Sequence, residues 1–568
     1  MTAAEDLGTL ASEYWDGRLE DAPLYATAIG DRRFDDRLAD ITSQGRARFS
    51  RFLEGVIARA QAIPEGGLGN EARVTRDMLI TEAESELAYL RCGVDEWSVD
   101  PLGGPQVSLL NVESYQTVRT PADARAMVVR WTAMGPYVAQ HLANLRQSLA
   151  EGKVAVADCV RKVIEELEDL GGKPEEQWTL LKPLAVPHDD WTEDERAGLR
   201  EGLTRAVAES IRPAFDQYLA MLRSELLPRA RPPDMAGIMH VPDGDRSYRK
   251  LVRVYTSLDL NPEEVHATGL REVARINGEM VRLGAEVFGL QDRTRILEKL
   301  RTDPELYFTT RDEVAAKAES ALARAKAAIP QWFGRLPGAD CTVVRMGEHE
   351  EKHSTIAYYR WPAADGSRPG TYYINTYAPA TRPRYEAEAL AYHEAIPGHH
   401  LQLAIMQELT HLPAFRRHSG VTAFIEGWGL YSERLADEMG LYSSDLDRMG
   451  MLSYDAWRAC RLVVDTGMHA KGWSRQRAID FLWENTALAK NNIVNEVDRY
   501  IAWPAQALAY KTGQMELLRL RDAARDVCGA RFDVKAFHDA VLENGALDLR
   551  TLAAMVSAFS RNLANRRS

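Results

Sequence analysis

From the start of the chain to about residue 335, apolar residues recur every three or four positions through 45–62, 70–92, 122–150, 189–228, 261–288 and 311–327. That period predicts a series of amphipathic helices. Ala, Leu, Arg and Glu fill them, and Pro and Gly clusters at 64–67, 100–105 and 231–233 read as the turns between. Near residue 341 the period changes. The stretches 341–345, 355–360 and 371–376 are rich in β-branched and aromatic residues and are separated by turn-forming segments, which predicts a small antiparallel sheet. Helical spacing then returns to the end of the chain, roughly through 419–440, 443–470, 474–484, 489–503, 504–526, 533–543 and 547–561, with Gly440 and Gly472 where helix ends are expected. The fold class is mainly α. Residues 1–335 form an N-terminal helical region and 336–568 the sheet and the remaining helices, the two closing as one compact unit around a deep central cleft.

The helical run that follows the sheet carries the chemistry. Leu390, Ala391, Leu401, Leu403, Ala404 and Ile405 are apolar, yet between them stands Tyr392-His393-Glu394-Ala395-Ile396-Pro397-Gly398-His399-His400, and a later helix brings Glu426-Gly427-Trp428. Two histidines and a glutamate, with a second glutamate beside the first histidine, make the ligand set and base of a catalytic zinc site. The spacing departs from H-E-x-x-H. His399 follows His393 by six residues, about 240° around and roughly 9 Å along a regular helix. An unbroken helix cannot bring the two together. Pro397 lacks an N–H and Gly398 tolerates unusual backbone, so a local widening of the helix is expected to absorb the extra residues. The second ligand is His399 or His400. Glu433, seven residues after Glu426, is either an acceptor for a ligand imidazole N–H or an ion-paired surface carboxylate. A literal H-E-x-x-H does occur at His349-Glu350-Glu351-Lys352-His353. Its charged interior and its place between two strands make it a solvated loop and not a metal helix.

A second constellation lies at 496–513, where Arg499, Tyr500, Tyr510 and Lys511 meet at a helix junction. Arg and Lys can hold a carboxylate, and a tyrosine hydroxyl can donate to a developing oxyanion. Tyr510 and Tyr500 are therefore either oxyanion donors or core tyrosines.

Charge narrows the field of functions. A net charge of −13 and a pI near 5.6 argue against nucleic-acid binding or a membrane surface. Five dispersed cysteines without C-x-x-C spacing read as reduced thiols, and the first residues carry no secretory pattern, so a cytoplasmic location is expected.

Across most of its length the chain resembles the DUF885 family of bacterial proteins, through His393-Glu394-Ala395-Ile396-Pro397-Gly398-His399-His400, Glu426-Gly427-Trp428-Gly429-Leu430-Tyr431-Ser432-Glu433 and Glu496-Val497-Asp498-Arg499-Tyr500. More distantly it is similar to the helical gluzincin peptidases. That resemblance implies a zincin-like body in which His393, His399 and Glu426 hold one Zn2+ per chain and Glu394 is the base. It also implies that residues 372–376 pair with the substrate backbone as an open edge strand, which puts Tyr373 and Asn375, with the remaining histidine His400, among the substrate contacts. The function expected is hydrolysis of a short peptide or peptide-like amide, its carboxylate fixed by Arg499 or Lys511. Two other classes stay open, a zinc enzyme turned to non-peptide amide or biosynthetic chemistry and a non-catalytic binding protein on the same scaffold.

Overall fold

The structure is a computed structural model that describes residues 2–347, 351, 355–362, 368–418 and 420–565. Several helices begin where a side chain satisfies a free N–H group of the first turn. Thr2 caps α1 (Ala3–Asp21) in a capping box with Glu5, and Thr42 caps α2 (Ser43–Ala62). After α3 (Asn70–Cys92) the chain turns through left-handed Gly93. Thr120 and Asp123 box the start of α4 (Pro121–Ala150), and α5 (Ala157–Gly171) follows. The stretch expected at 189–228 is helical without being uniform. Two π turns, Ala206–Ile211 and Leu222–Leu226, flank the segment that carries Pro213, a residue with no N–H to donate. Then come α6 (Pro262–Phe288) and α7 (Arg311–Ala328).

The sheet has strands β1 (Cys341–Arg345), β2 (Ala357–Arg360) and β3 (Gly370–Ile374) in the order β1-β3-β2. β3 runs parallel to β1 and antiparallel to β2. The sheet is thus mixed, which corrects the antiparallel expectation: β1 and β2 are not a hairpin but lie on opposite sides of β3. β3 is also hydrogen-bonded on both sides, so it offers no open edge, and the expectation that 372–376 adds a substrate strand is corrected too.

Beyond the sheet run α8 (Ala387–Glu394), α9 (His399–Gln407), α10 (Thr422–Glu438), α11 (Asp445–Lys471), α12 (Lys490–Ala502) and α13 (Ala509–Cys528). One apolar core draws Leu10 and Tyr14 of α1, Ala321 of α7, Tyr372 of β3, Trp428 of α10 and Leu517 of α13, from both sides of residue 335. A second joins α6 to α11 through residues such as Ile276, Met280, Ala456 and Val463. A third, around α4 and α5, has its buried members between Val99 and Leu226, with Leu24 and Leu38 packed against it. No helix among the described residues is long and apolar enough to cross a membrane. All five cysteines are free thiols.

Candidate metal centre

The helix that carries His393 does not widen; it stops and restarts. The last regular bond of α8 is Ala395 N–H to Ala391, and the next runs from His400 N–H back to Ala395. Residues 395–398 form the link, with a cis peptide before Pro397. The expected widening is thereby replaced by a break, since a proline cannot continue the ladder. Gly398 is required by space: a Cβ there would stand 1.9 Å from the His393 carbonyl oxygen. Two side chains of α10 hold the link in place. Trp428 Nε1 and Ser432 Oγ donate to the Pro397 carbonyl at 2.9 and 3.2 Å. Trp428, which reads from the sequence as simple core, fixes the geometry of the break. On its far side α8 is tied to α7 by ion pairs from Lys317 and Arg324 to the buried Glu388.

The restart brings His399 next to His393, with ring centroids 4.7 Å apart. The Nε2 atoms of His393 and His399 lie 3.7 and 3.6 Å from Glu426 Oε2. Ligands around a tetrahedral zinc with bonds of about 2.0–2.1 Å sit roughly 3.4 Å apart, so the three donors have close to the spacing one ion needs. Among the described residues, this is the cluster of His, Cys, Asp and Glu side chains able to hold a metal ion. Glycines allow the approach. A Cβ on Gly429 would press into the His393 ring at 2.7 Å, and one on Gly427 would lie 2.5 Å from Gly513 Cα, where α10 and α13 meet backbone to backbone.

Glu433 Oε1 accepts from His393 Nδ1 at 2.8 Å and is fully buried. This fixes the tautomer that leaves Nε2 free toward the centre. Burial opposes charge on His393, but the nearby Glu426 carboxylate and the bond to Glu433 outweigh burial and raise it to about 9. Glu426 is partly exposed, with 22% of its side-chain surface open, and although desolvation opposes its charge, the two histidines hold it well below the usual carboxylate range. Glu394 is partly exposed and has no hydrogen bond among the described residues.

The remaining sequence-predicted residues divide sharply. His400 faces away from the centre: its Nε2–H donates to the Ala339 carbonyl at 3.1 Å and its Nδ1 accepts from Tyr359 at 2.9 Å. Burial lowers it to about 4. The second histidine at the centre is thus His399, and His400 as a substrate contact is corrected. Asn375 is corrected for the same reason, since its side chain is buried and spent on Glu351, Thr355 and Tyr377. Tyr373 stacks on its cross-strand partner Tyr358. Lys511 is 1% exposed and saturated by Asp455, Gln514 and Glu272, which leaves nothing for a substrate carboxylate. Tyr500 donates to Glu496 and accepts from Arg461 and Trp457, so its hydroxyl is fully used and its proposed oxyanion role is corrected. Tyr510 differs. Its hydroxyl accepts from Arg499 at 3.3 Å, and no group among the described residues takes its proton. Arg499 also donates to Gln506. Of the literal H-E-x-x-H only Glu351 lies among the described residues. It is buried against Arg311 at 2.6 Å, so that residue at least is not solvated.

Other residues near the centre were not legible from motif spacing. Tyr372 of β3 lies within electrostatic reach of Glu394; alternation along a strand could have pointed to it. Tyr454, Arg458 and Arg461 lie along one face of α11, and the signal was two arginines three residues apart in a largely buried helix. A cavity of about 460 Å³ opens at the start of α10, lined by Val421 and Thr422 together with Phe49, Tyr89, Tyr255 and Asp21. Thr422 is one turn before Glu426 on the same helix face. Burial, then Glu86, pushes Asp21 in that cavity up to about 6.

The whole architecture recurs in solved structures. The crystal structure of the "putative lipoprotein" from Colwellia psychrerythraea superposes with a TM-score of 0.92 at 26% identity, over 99% of this chain and 100% of that one. The structure of a "putative lipoprotein of unknown function" from Shewanella oneidensis gives 0.76 at 16% identity, over 97% of this chain and 99% of that one, and shares the fold. No curated protein matches the chain. The family model described as "Bacterial protein of unknown function (DUF885)" matches residues 23–556, nearly the full length, and the chain belongs to that family.

Proposed function

We propose that the protein is a zinc-dependent hydrolase of short peptides or peptide-like amides. The observation that carries this reading is the convergence of His393, His399 and Glu426 next to an unengaged carboxylate, Glu394. A site that only stored metal would need the first three residues and not the fourth. The donor set fits zinc: two imidazole nitrogens and one carboxylate oxygen, one imidazole oriented by a buried glutamate, and room left by Gly429. Zinc held there would supply Lewis acidity toward a carbonyl oxygen and lower the pKa of a water. Glu394 then takes the proton of the attacking water and passes it to the leaving amine, a task suited to a partly exposed carboxylate with no competing partner. Tyr510 donates its free hydroxyl proton to the oxygen that becomes negative, while Arg499 holds the phenol oxygen from behind. Cytoplasmic action is part of the reading and rests on the five free thiols.

Metal analysis of the purified protein tests it first, with about one zinc per chain expected. His393→Ala and Glu426→Ala should lose the metal. Glu394→Gln should keep it and lose amide hydrolysis by about 10²–10⁴-fold. Near-normal turnover by Glu394→Gln would refute the mechanism.

A further inference from the structure

On the buried face of α11 two guanidiniums keep N–H groups without an acceptor. Arg458 and Arg461 are 5% and 2% exposed, yet Arg458 Nε and Arg461 Nη1 have no hydrogen-bond partner. The rest of the Arg458 guanidinium is weakly held, with Nη1 at 3.5 Å from the Tyr454 carbonyl and Nη2 at 3.8 Å from Glu433 Oε1. Arg461 gives Nε to Tyr500 and Nη2 to Glu496. Arg499 shares that same Glu496 at 3.4 Å. Trp457 lies 4.2 and 4.4 Å from the guanidinium carbons of Arg458 and Arg461, and the Tyr510 ring 4.2 Å from that of Arg461, so the forks are held flat and rigid. Two guanidiniums, of Arg461 and Arg499, thus share the Glu496 carboxylate, and Arg458 has no carboxylate at hydrogen-bond distance among the described residues. A buried charged donor left without an acceptor is costly, and the natural complement of a rigid planar fork is a planar anion.

The cluster lies beside the chemistry. Tyr454, one turn before Arg458 and under its guanidinium at 4.6 Å, is within electrostatic reach of both Glu433 and Tyr372, and Tyr372 is within reach of Glu394. From Arg458 the path to the donor face of His393 crosses two contacts, through Glu433, and one imidazole ring. That is on the order of 10 Å, the span of about three extended residues.

We propose that Arg458 and Arg461, completed by Arg499, anchor a carboxylate of the substrate, so that the molecules preferred are short peptides or N-acyl amino acids with a free carboxylate within about three residues of the amide to be cleaved. The position of that amide rests on the hydrolase reading; the anchor itself does not, because binding can be measured without turnover. Calorimetric titration of the Glu394→Gln protein with glycyl-leucine and with glycyl-leucinamide compares a free acid with its neutral isostere. The acid should bind at least about tenfold more tightly, the worth of one charge-assisted hydrogen bond. Arg458→Met and Arg461→Met should each bring the acid down to the level of the amide and leave the amide unchanged. Equal binding of acid and amide, or binding of neither, overturns the proposal with no variant required. So does a full acid preference in methionine variants that melt like the parent, and so does displacement of the dipeptide by inorganic phosphate at a tenfold lower concentration, which would make this a phosphate site. Acid preference in a protein that cleaves no peptide would leave the anchor standing and end the hydrolase reading. Cleavage of acid and amide with equal kcat/KM would do the reverse.

Discussion

One methyl group added at Gly429 measures how tightly the donor imidazole is held. An alanine Cβ would lie 2.7 Å from Cε1 and 2.8 Å from Nε2 of His393, where ordinary contacts begin at 3.4 Å. The ring must therefore give way by about 0.7 Å, against a tolerance of roughly 0.2 Å in a metal–ligand distance. It has no room to retreat, since Glu433 holds Nδ1 at 2.8 Å from a fully buried position. Gly429→Ala should weaken zinc binding by about 10–100-fold, as loss of an outer-shell contact does, or about 1.4–2.7 kcal/mol. The fold should change less. Overpacking costs about 1–3 kcal/mol, and the alanine returns up to about 1 kcal/mol in helix propensity, so metal-free melting should fall by only a few degrees. Zinc titration against a chromophoric chelator gives the affinity, and calorimetry with and without zinc gives the stability. Gly55→Ala is the control, because a Cβ at Gly55 meets nothing within 4 Å. A Kd for Gly429→Ala within twofold of the parent would refute this account of the donor geometry.

The two late-segment tyrosines should separate in kinetics and stability. Tyr510→Phe should lower kcat by about 10²–10³-fold with little change in KM, whereas Tyr500→Phe should spare kcat and cost about 1–3 kcal/mol of stability by stripping a partner from buried Arg461; the opposite pattern would reverse the assignment. Gly513→Ala places a Cβ 1.8 Å from the Ala423 carbonyl oxygen and should destabilise the protein by about 3 kcal/mol or more, and a melting temperature equal to the parent's would contradict the packing of α13 on α10. Burial pushes Asp465, fully buried under Tyr248, up to about 7. Between roughly pH 4 and 7 the folded state therefore binds a proton that the unfolded chain has lost, and stability falls as pH rises through that window, by up to about 4 kcal/mol at pH 8. Asp465→Asn can serve Ala505 N with its oxygen and the Tyr248 hydroxyl with its amide, so its melting temperature should exceed the parent's by more at pH 8 than at pH 5. An equal difference at both values would disprove the linkage.

What the chain reveals in its letters follows from how local each determinant is. Helices such as α1, α4 and α7 are written in apolar period and capping residues, and all of these lie within a few positions of the structure they make. The grouping of His393, Glu394 and His399 around a Pro-Gly break is equally local. The form of the break was less so: Trp428 and Ser432, from a helix about thirty residues later, decide that the link folds as it does. Strand order is a long-range property, and nothing in 341–345 or 371–376 says that the first strand crosses to the far side of the third. The fate of polar residues is harder still. Lys511 and Arg458 look alike in the sequence, yet one is saturated by Asp455 and Glu272, which come from two other helices, and the other keeps an unpaired N–H.

The contact between Gly427 and Gly513 also has a consequence for how the protein is made. Synthesis proceeds from the N-terminus at about 5–20 residues per second, so the 87 residues from Glu426 to Gly513 take roughly 4–17 seconds to add. During that interval both histidines and Glu426 have been synthesised, but the helix that seats Glu426 has not. A growing chain therefore carries loose imidazoles before it carries the finished cluster, whose geometry is complete only when α13 docks on α10. A fragment cut before residue 509 would therefore keep His393, His399 and Glu426 while losing the helix packed against Gly427.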